Sequence, residues 1–386
     1  MTIYEKYFIP VYKRFDHEII GGKGCFIFTK NGEYLDMFSG LGVNILGYGN
    51  QKVIKAVTEQ FGRYSHISNY FESEPSGKLA EYLSKHTFAK KVFFTNSGTE
   101  AVEAGLKLIR KYGKQTGRKK MITFTKAFHG RTLGSSSVTA PDLSSDYNCS
   151  GIKDIVTLEF NNLYDLEKID TGTAGVFIEA VQGQGGINAA GKEFMLTLRE
   201  LTNKKKVILM ADEIQSGMGR TGRLFAFENY GIEPDLAVIA KAIGGGLPLG
   251  ALLAGGKWCD YLKAGEHGST FGGNPVSCSA GLATIRQINK EDFLHRVNEK
   301  GKILTSALNK VKEDNPDKIG RITVIGLMAG IEILKGHDQI IRLFEEEKIF
   351  VNITQKNILR LLPPLIISED EIEKFIFSFY NVLKKI

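Results

Sequence analysis

From residue 51 to residue 254 the chain alternates segments of helical period with short apolar runs, and this alternation restricts the fold more than any other feature. Helical spacing covers 51–61, 76–85 and 100–111. Apolar runs of strand length occupy 91–95, 121–124, 174–178, 207–211, 236–240 and 250–254. Such a succession builds a mostly parallel sheet with helices on both faces. Ahead of it, 24–29 and 34–38 are strand-like on either side of Lys30-Asn-Gly-Glu33, a hairpin signal. After Asn274-Pro275 the pattern changes to long helical segments, 278–288 and 292–313, then short strands and a last helix. The expected class is α/β, with a large domain at 51–275 and a smaller α+β domain at 276–386. A chain of 386 residues is long enough for two such cores.

Two of the apolar runs end in chemistry. The run 236–240 is followed by Lys241 and then three glycines, Gly244 to Gly246; the run 207–211 ends in Asp212. In an open α/β sheet both side chains emerge at the carboxyl ends of strands, where ligands bind. Burying an ammonium favours its neutral form. A free amine beside a carboxylate suggests a Schiff base on a pyridine cofactor whose ring nitrogen is kept protonated.

Three glycine patterns compete for a nucleotide. Gly186-Ile-Asn-Ala-Ala-Gly191-Lys192 is close to a P-loop, but Glu193 stands where a hydroxyl must reach magnesium. Gly217-Met-Gly-Arg-Thr-Gly222 spells a dinucleotide fingerprint, yet residues 212–216 separate it from the strand. The third, Thr95-Asn-Ser-Gly-Thr-Glu-Ala101, follows a strand and opens a helix. It reads equally as a phosphate site of free N–H groups or as a plain capping box, with Ser97 as cap and Glu100 three residues on. Phe128-His129-Gly130-Arg131 offers an aromatic that can stack on a flat ring and an arginine that can pair with a carboxylate. His129 reads as a structural, hydrogen-bonded histidine, and the other histidines have no metal-ligand spacing.

Composition narrows the partners. The formal net charge is +7, but the basic runs (118–120, 204–206, 384–385) are short, scattered and not interleaved with aromatics. No nucleic-acid groove is expected. No stretch is apolar enough to span a bilayer. Cys25, Cys149, Cys259 and Cys278 are far apart, which fits a reducing compartment. The start, Met-Thr-Ile-Tyr-Glu-Lys, lacks a signal-peptide pattern. A soluble cytoplasmic protein without a metal is expected.

Five motifs, in order, resemble the class III (ω-amino) aminotransferases, pyridoxal-phosphate enzymes. They are Asn96-Ser-Gly-Thr-Glu-Ala101, Phe128-His-Gly-Arg-Thr132, Asp212-Glu-Ile-Gln-Ser-Gly-Met-Gly-Arg-Thr-Gly222, Ala240-Lys-Ala-Ile-Gly-Gly-Gly-Leu-Pro-Leu-Gly-Ala251 and Gly268-Ser-Thr-Phe-Gly-Gly-Asn-Pro275. The resemblance covers nearly the whole chain and is strongest to the acetylornithine branch, with ornithine and 4-aminobutyrate branches as neighbours. It implies pyridoxal-phosphate fold type I (aspartate-aminotransferase-like), with a mostly parallel seven-stranded sheet. Residues 1–50 would contribute to the small domain and to dimer contacts.

Site roles follow from the same resemblance. Lys241 would carry the cofactor and act as base, while Asp212 would pair with the pyridine nitrogen. Gln215 would reach the ring hydroxyl, and Phe128 would stack on the ring. Ser97, Gly98 and Thr99 would hold the phosphate, with Thr270 serving the partner subunit's site in a homodimer with shared active sites. Arg360 would bind the α-carboxylate of glutamate and 2-oxoglutarate, and Arg131 the far carboxylate. Glu179 would lie beside the cofactor and bond to Gln215. Leu41 stands where ornithine enzymes carry tyrosine, which fits an acylated amino donor. The chain departs from the family at Gln184, where a glutamate usually neutralises the carboxylate-binding arginine, and at Ala180 in place of proline. The implied reaction moves the δ-amino group of N2-acetyl-L-ornithine to 2-oxoglutarate, as in arginine biosynthesis. The rivals are sibling donors (ornithine, succinylornithine, 4-aminobutyrate, an acylated lysine), a catalytically silent binding protein and a nucleotide-binding ATPase.

Overall fold

The computed structural model describes residues 3–143 and 151–386, so Cys149 lies outside the described residues. In chain order the strands are β1 (Ile19–Lys23), β2 (Phe26–Thr29), β3 (Gly32–Asp36), β4 (Lys91–Thr95), β5 (Lys120–Phe124), β6 (Ile155–Leu158), β7 (Thr173–Ile178), β8 (Val181–Gln182), β9 (Asn188–Ala189), β10 (Ile208–Asp212), β11 (Leu236–Ile239), β12 (Gly250–Ala254), β13 (Ile319–Ile325), β14 (Met328–Ile333), β15 (Ile349–Phe350), β16 (Asn352–Thr354) and β17 (Ile358–Leu361). Seven of them form one sheet in the order β4-β12-β11-β10-β7-β5-β6. The pairings around β10, β7 and β5 are all parallel; β12 alone runs against both of its neighbours. Strands β7, β10, β11 and β12 are buried along their whole length, which is why they read as unbroken apolar runs rather than alternating ones.

Helix Gly98–Thr116 packs on this sheet and presents an apolar stripe of Val102, Leu106 and Ile109 to it. Ser97 caps its start, and the left-handed Gly117 (φ 73°) ends it. It begins two residues before the segment expected from spacing and ends five after. Strand β6 was not foreseen: four residues at the sheet edge are too short for a period to register. In the N-terminal hairpin Thr29 pairs with Gly32, so the turn closes over Lys30 and Asn31 alone, and Gly32 (φ 116°) already belongs to β3.

A second sheet, β13-β14-β17-β16, is antiparallel throughout. A third joins β1-β2-β3 to β15, the last pair being parallel. The start of the chain is thereby tied to residues near its end. No helix among the described residues is long and apolar enough to cross a membrane.

Candidate active site

The carboxyl ends of β4, β5, β7, β10 and β11 meet at one edge of the seven-stranded sheet. Asp212 is the last residue of β10, and the loops that leave β4, β5, β7 and β11 carry Ser97, Phe128, Glu179 and Lys241. Strand β11 ends in a sharp bend: Ala240 lies at φ −162°, ψ −148°, and Lys241 at φ 49°, a left-handed backbone for a residue with a Cβ. Non-glycine strain of this kind concentrates at functional sites. Burial, and then the guanidinium of Arg360, hold the Lys241 ammonium down to about 8, against the opposite pull of Asp212 and Glu179. Among the described residues its Nζ donates no hydrogen bond.

Asp212 is buried and fully oriented. Its Oδ1 accepts the N–H of Ile214 at 3.0 Å, and its Oδ2 lies 2.7 Å from Nδ1 of His129, itself buried. Burial would lower the imidazole's pKa, but the bond to Asp212 and the charges of Asp212 and Glu179 outweigh it, and the net shift is upward. His129 thus has the structural, hydrogen-bonded part that its sequence context suggested.

Glu179, at the end of β7, is pushed upward by burial and by the charge of Asp212, against the pull of His129. Its oxygens accept the backbone N–H of Phe128 (2.8 Å) and Gly183 (3.3 Å). The expected bond between Glu179 and Gln215 is not made. The Gln215 amide is committed elsewhere, with Nε2 donating to Leu41 O at 3.4 Å and Oε1 accepting from Arg360 Nη1 at 3.3 Å. Two backbone N–H groups at short range satisfy the carboxylate better than a side-chain amide that already has partners.

Arg360 sits inside β17 and is 2% exposed. Nη1 donates to Gly183 O (3.2 Å) and Gln184 Oε1 (3.2 Å) as well as to Gln215, and Nη2 donates to Asn352 Oδ1 (2.6 Å). All four acceptors are neutral, and Nε is buried without a partner. Burial brings the guanidinium down to about 10, with Glu179 acting the other way, so it stays cationic at neutral pH. Asn352 escaped the sequence reading: it faces Arg360 only through the β16–β17 register.

The third glycine pattern forms the start of helix Gly98–Thr116. Ser97 Oγ accepts the N–H of Glu100 at 3.3 Å, while Glu100 bends back to the N–H of Asn96 at 2.8 Å, one residue short of a reciprocal capping box. The N–H groups of Gly98 and Thr99 have no partner among the described residues, and they sit at the positive end of a 19-residue helix dipole. Gly250 lies against this loop: a Cβ there would stand 2.5 Å from Ser97 O. Thr99 Oγ1 is tied to Ser135 Oγ at 2.6 Å, which joins the loop to the segment bearing Phe128 and Arg131. Arg131 is exposed, with its guanidinium 5.9 Å from the centre of the Phe128 ring. Thr270 is exposed and bonded to none of the described residues. Its loop is braced by Asn69, which donates to Ser269 O (2.9 Å) and Gly272 O (3.0 Å).

Residues 11–383 match the model of the family described as Aminotransferase class-III. The chain belongs to that family. It is 39% identical to an acetylornithine aminotransferase of Clostridium acetobutylicum, covering 98% of this chain and 100% of that one. Among solved structures, an N-acetylornithine aminotransferase from Stenotrophomonas maltophilia superimposes with a TM-score of 0.85 at 29% identity, covering 99% and 98% of the two chains. An ornithine aminotransferase from Toxoplasma gondii, with pyridoxal phosphate (PLP) partly occupying its active site, superimposes with a TM-score of 0.92 at 25% identity over 98% and 92%. The class III fold, with its mostly parallel seven-stranded sheet, is the one described above.

The donor set fits PLP. An amine held near 8, a carboxylate fixed by two hydrogen bonds, two unpartnered N–H groups at a helix start and a ring at Phe128 match the four parts of that molecule: aldehyde, pyridine nitrogen, phosphate and aromatic face.

Proposed function

We propose that this chain is an acetylornithine aminotransferase, dependent on PLP, that moves the δ-amino group of N2-acetyl-L-ornithine to 2-oxoglutarate in arginine biosynthesis. The observation that carries the reading is that the buried Lys241 amine, held down in part by the Arg360 cation, shares one site with a buried Arg360 whose hydrogen-bond acceptors are all neutral. Bound PLP supplies the electron sink that acidifies the substrate C–H. About a tenth of Lys241 amines are neutral at pH 7 with a pKa near 8. Its Nζ would take the proton from the substrate carbon that loses nitrogen and pass it to the cofactor, and would carry it back to the acceptor's carbon in the second half-reaction. Asp212, held at both oxygens, keeps a proton on a ring nitrogen, and Phe128 covers the ring. Ser97, Gly98 and Thr99 receive the phosphate. Arg360 binds the α-carboxylate, with Gln184 in its neutral ring, and the exposed Arg131 takes the far carboxylate of the acceptor. Glu179 holds the Phe128 backbone in place, and Leu41 supplies an apolar surface for the acyl group.

A homodimer with shared sites belongs to the same proposal. Exposed Tyr70 and Phe71 follow the Asn69 that braces the loop carrying Thr270 and exposed Phe271, and large apolar side chains left in water on neighbouring segments favour a cover. Residues 51–275 hold the whole seven-stranded sheet, while 276–386 hold the second sheet and share the third with 1–50; this supports a cofactor-binding unit and a small domain divided as expected. The free thiols of Cys25, Cys259 and Cys278 support a cytoplasmic setting. The test is a donor panel with 2-oxoglutarate as acceptor. N-acetylornithine should give the highest kcat/KM for glutamate formation, at least tenfold above ornithine and 4-aminobutyrate. Ornithine in first place would refute the donor assignment.

A further inference from the structure

Arg360 lies opposite Gly330 on one side and Asn352 on the other, in the registers that pair β17 with β14 and with β16. Directly opposed residues of an antiparallel pair share a face of the sheet. On the β14 side the glycine leaves a gap, and the turn between β8 and β9 fills it. A Cβ on Gly330 would stand 2.8 Å from the Cβ of Ile187 and 3.0 Å from Gly186 O. This close approach brings Gly183 O and Gln184 Oε1 to Arg360 Nη1, each at 3.2 Å. The turn is strained at Ile187, a β-branched residue at φ 56°. It is held from β16 and the residue after it, where Thr354 Oγ1 and Gln355 Nε2 donate to Gln184 O at 2.7 and 3.1 Å.

On the β16 side the half-buried Asn352 fills the place itself. Its Oδ1 accepts from Nη2 at 2.6 Å, the shortest bond the guanidinium makes among the described residues. A guanidinium carries five N–H donors. The two on Nη1 are shared by Gly183, Gln184 and Gln215, and one on Nη2 goes to Asn352. Nε–H and the second Nη2–H have no partner among the described residues, and two donors are what a bidentate carboxylate takes. We propose that Asn352 is a positioning residue for the second half-reaction. It holds the Arg360 guanidinium in the plane that receives the carboxylate on the reacting carbon of 2-oxoglutarate, and its amide oxygen does so without neutralising the charge. The reacting carbon of N2-acetyl-L-ornithine is a CH2 without a carboxylate, so the first half-reaction does not call on this arrangement. The inference rests on the aminotransferase reading above and deepens it.

The experiment follows the two half-reactions of the PLP-loaded enzyme separately, in single turnovers, for wild type, Asn352→Ala and Asn352→Asp, together with melting temperatures. Asn352→Ala raises the half-saturating concentration of 2-oxoglutarate about tenfold and keeps that of N-acetylornithine within about twofold, with both limiting rates within about threefold. It also melts below the wild type. Asn352→Asp keeps an acceptor of the same shape and melts within about 2 °C of the wild type. It still weakens 2-oxoglutarate by a similar factor, because its carboxylate takes up the charge that the substrate needs. A merely structural bond gives a different pattern, with both half-reactions impaired alike in Asn352→Ala and both rescued in Asn352→Asp. That pattern, or unchanged 2-oxoglutarate binding in either variant, overturns the role of Asn352 and leaves the enzymatic reading standing. A PLP-loaded wild type that converts neither substrate overturns both.

Discussion

Lys241 and Asp212 could be read from the sequence because each is a charge at the end of an apolar run, where burial needs a reason, whereas Arg360 came only through the family resemblance. Their partners were less legible. Asn352 meets Arg360 across a strand pair, and register is invisible in a single sequence. Gln215 was expected at Glu179 because resemblance transfers identities, not side-chain directions; the structure turns it to Leu41 and Arg360. Glu213 shows a buried carboxylate outside the proposed chemistry. It accepts the N–H groups of Ala226 (2.8 Å) and Phe227 (3.0 Å) and the Ser216 hydroxyl (3.0 Å), yet burial still pushes it up to about 8. The folded state therefore holds this proton longer than the unfolded chain does. Stability is full below the ordinary carboxylate value of 4.5 and is lost as pH rises from there through about 8. The loss is roughly 5 kcal/mol at most. Denaturant titrations from pH 5 to 8.5 should show wild-type stability falling with pH and Glu213→Gln falling less steeply, whatever its absolute stability. Parallel slopes would mean that Glu213 does not titrate in this window.

At the level of elements, β4 and β12 were legible to the residue, because apolar runs bounded by polar or glycine residues leave little choice of register. Edge and terminal elements were not. Strand β6 is held by its neighbour rather than by its own pattern, and helix Gly98–Thr116 is extended at both ends by caps that periodicity does not see. The loop at 268–274 shows the limit most clearly, since its conformation is set by Asn69, some two hundred residues away in the chain. If it faces a second subunit, a charge there should be costly. Sedimentation at micromolar concentration should find wild type as a dimer and Phe271→Asp largely monomeric, with weaker PLP binding through the displaced Thr270. A monomeric wild type that retains full activity would contradict the shared-site proposal.

Across the whole molecule, the chain folds so that five loops from one sheet edge, a strand of the second sheet and a turn after the third all reach one place. Alternation of helix and strand announced the large sheet. The attachment of β15 to β3, which ties residues 349–350 to the N-terminal hairpin, could not be read from local pattern because it joins distant segments. Leu41 follows β3 and Arg360 follows β15, and the Gln215 amide bonds both of them. The central claim is that Lys241 carries PLP and that one site serves both an acylated diamine and a dicarboxylate. Its most direct test is the visible absorbance of the PLP-loaded protein during sequential additions. The account predicts that N-acetylornithine abolishes the lysine-bound cofactor band, that 2-oxoglutarate restores it, and that Lys241→Ala never shows it. A band that persists in Lys241→Ala, or that N-acetylornithine leaves untouched in the wild type, would contradict it.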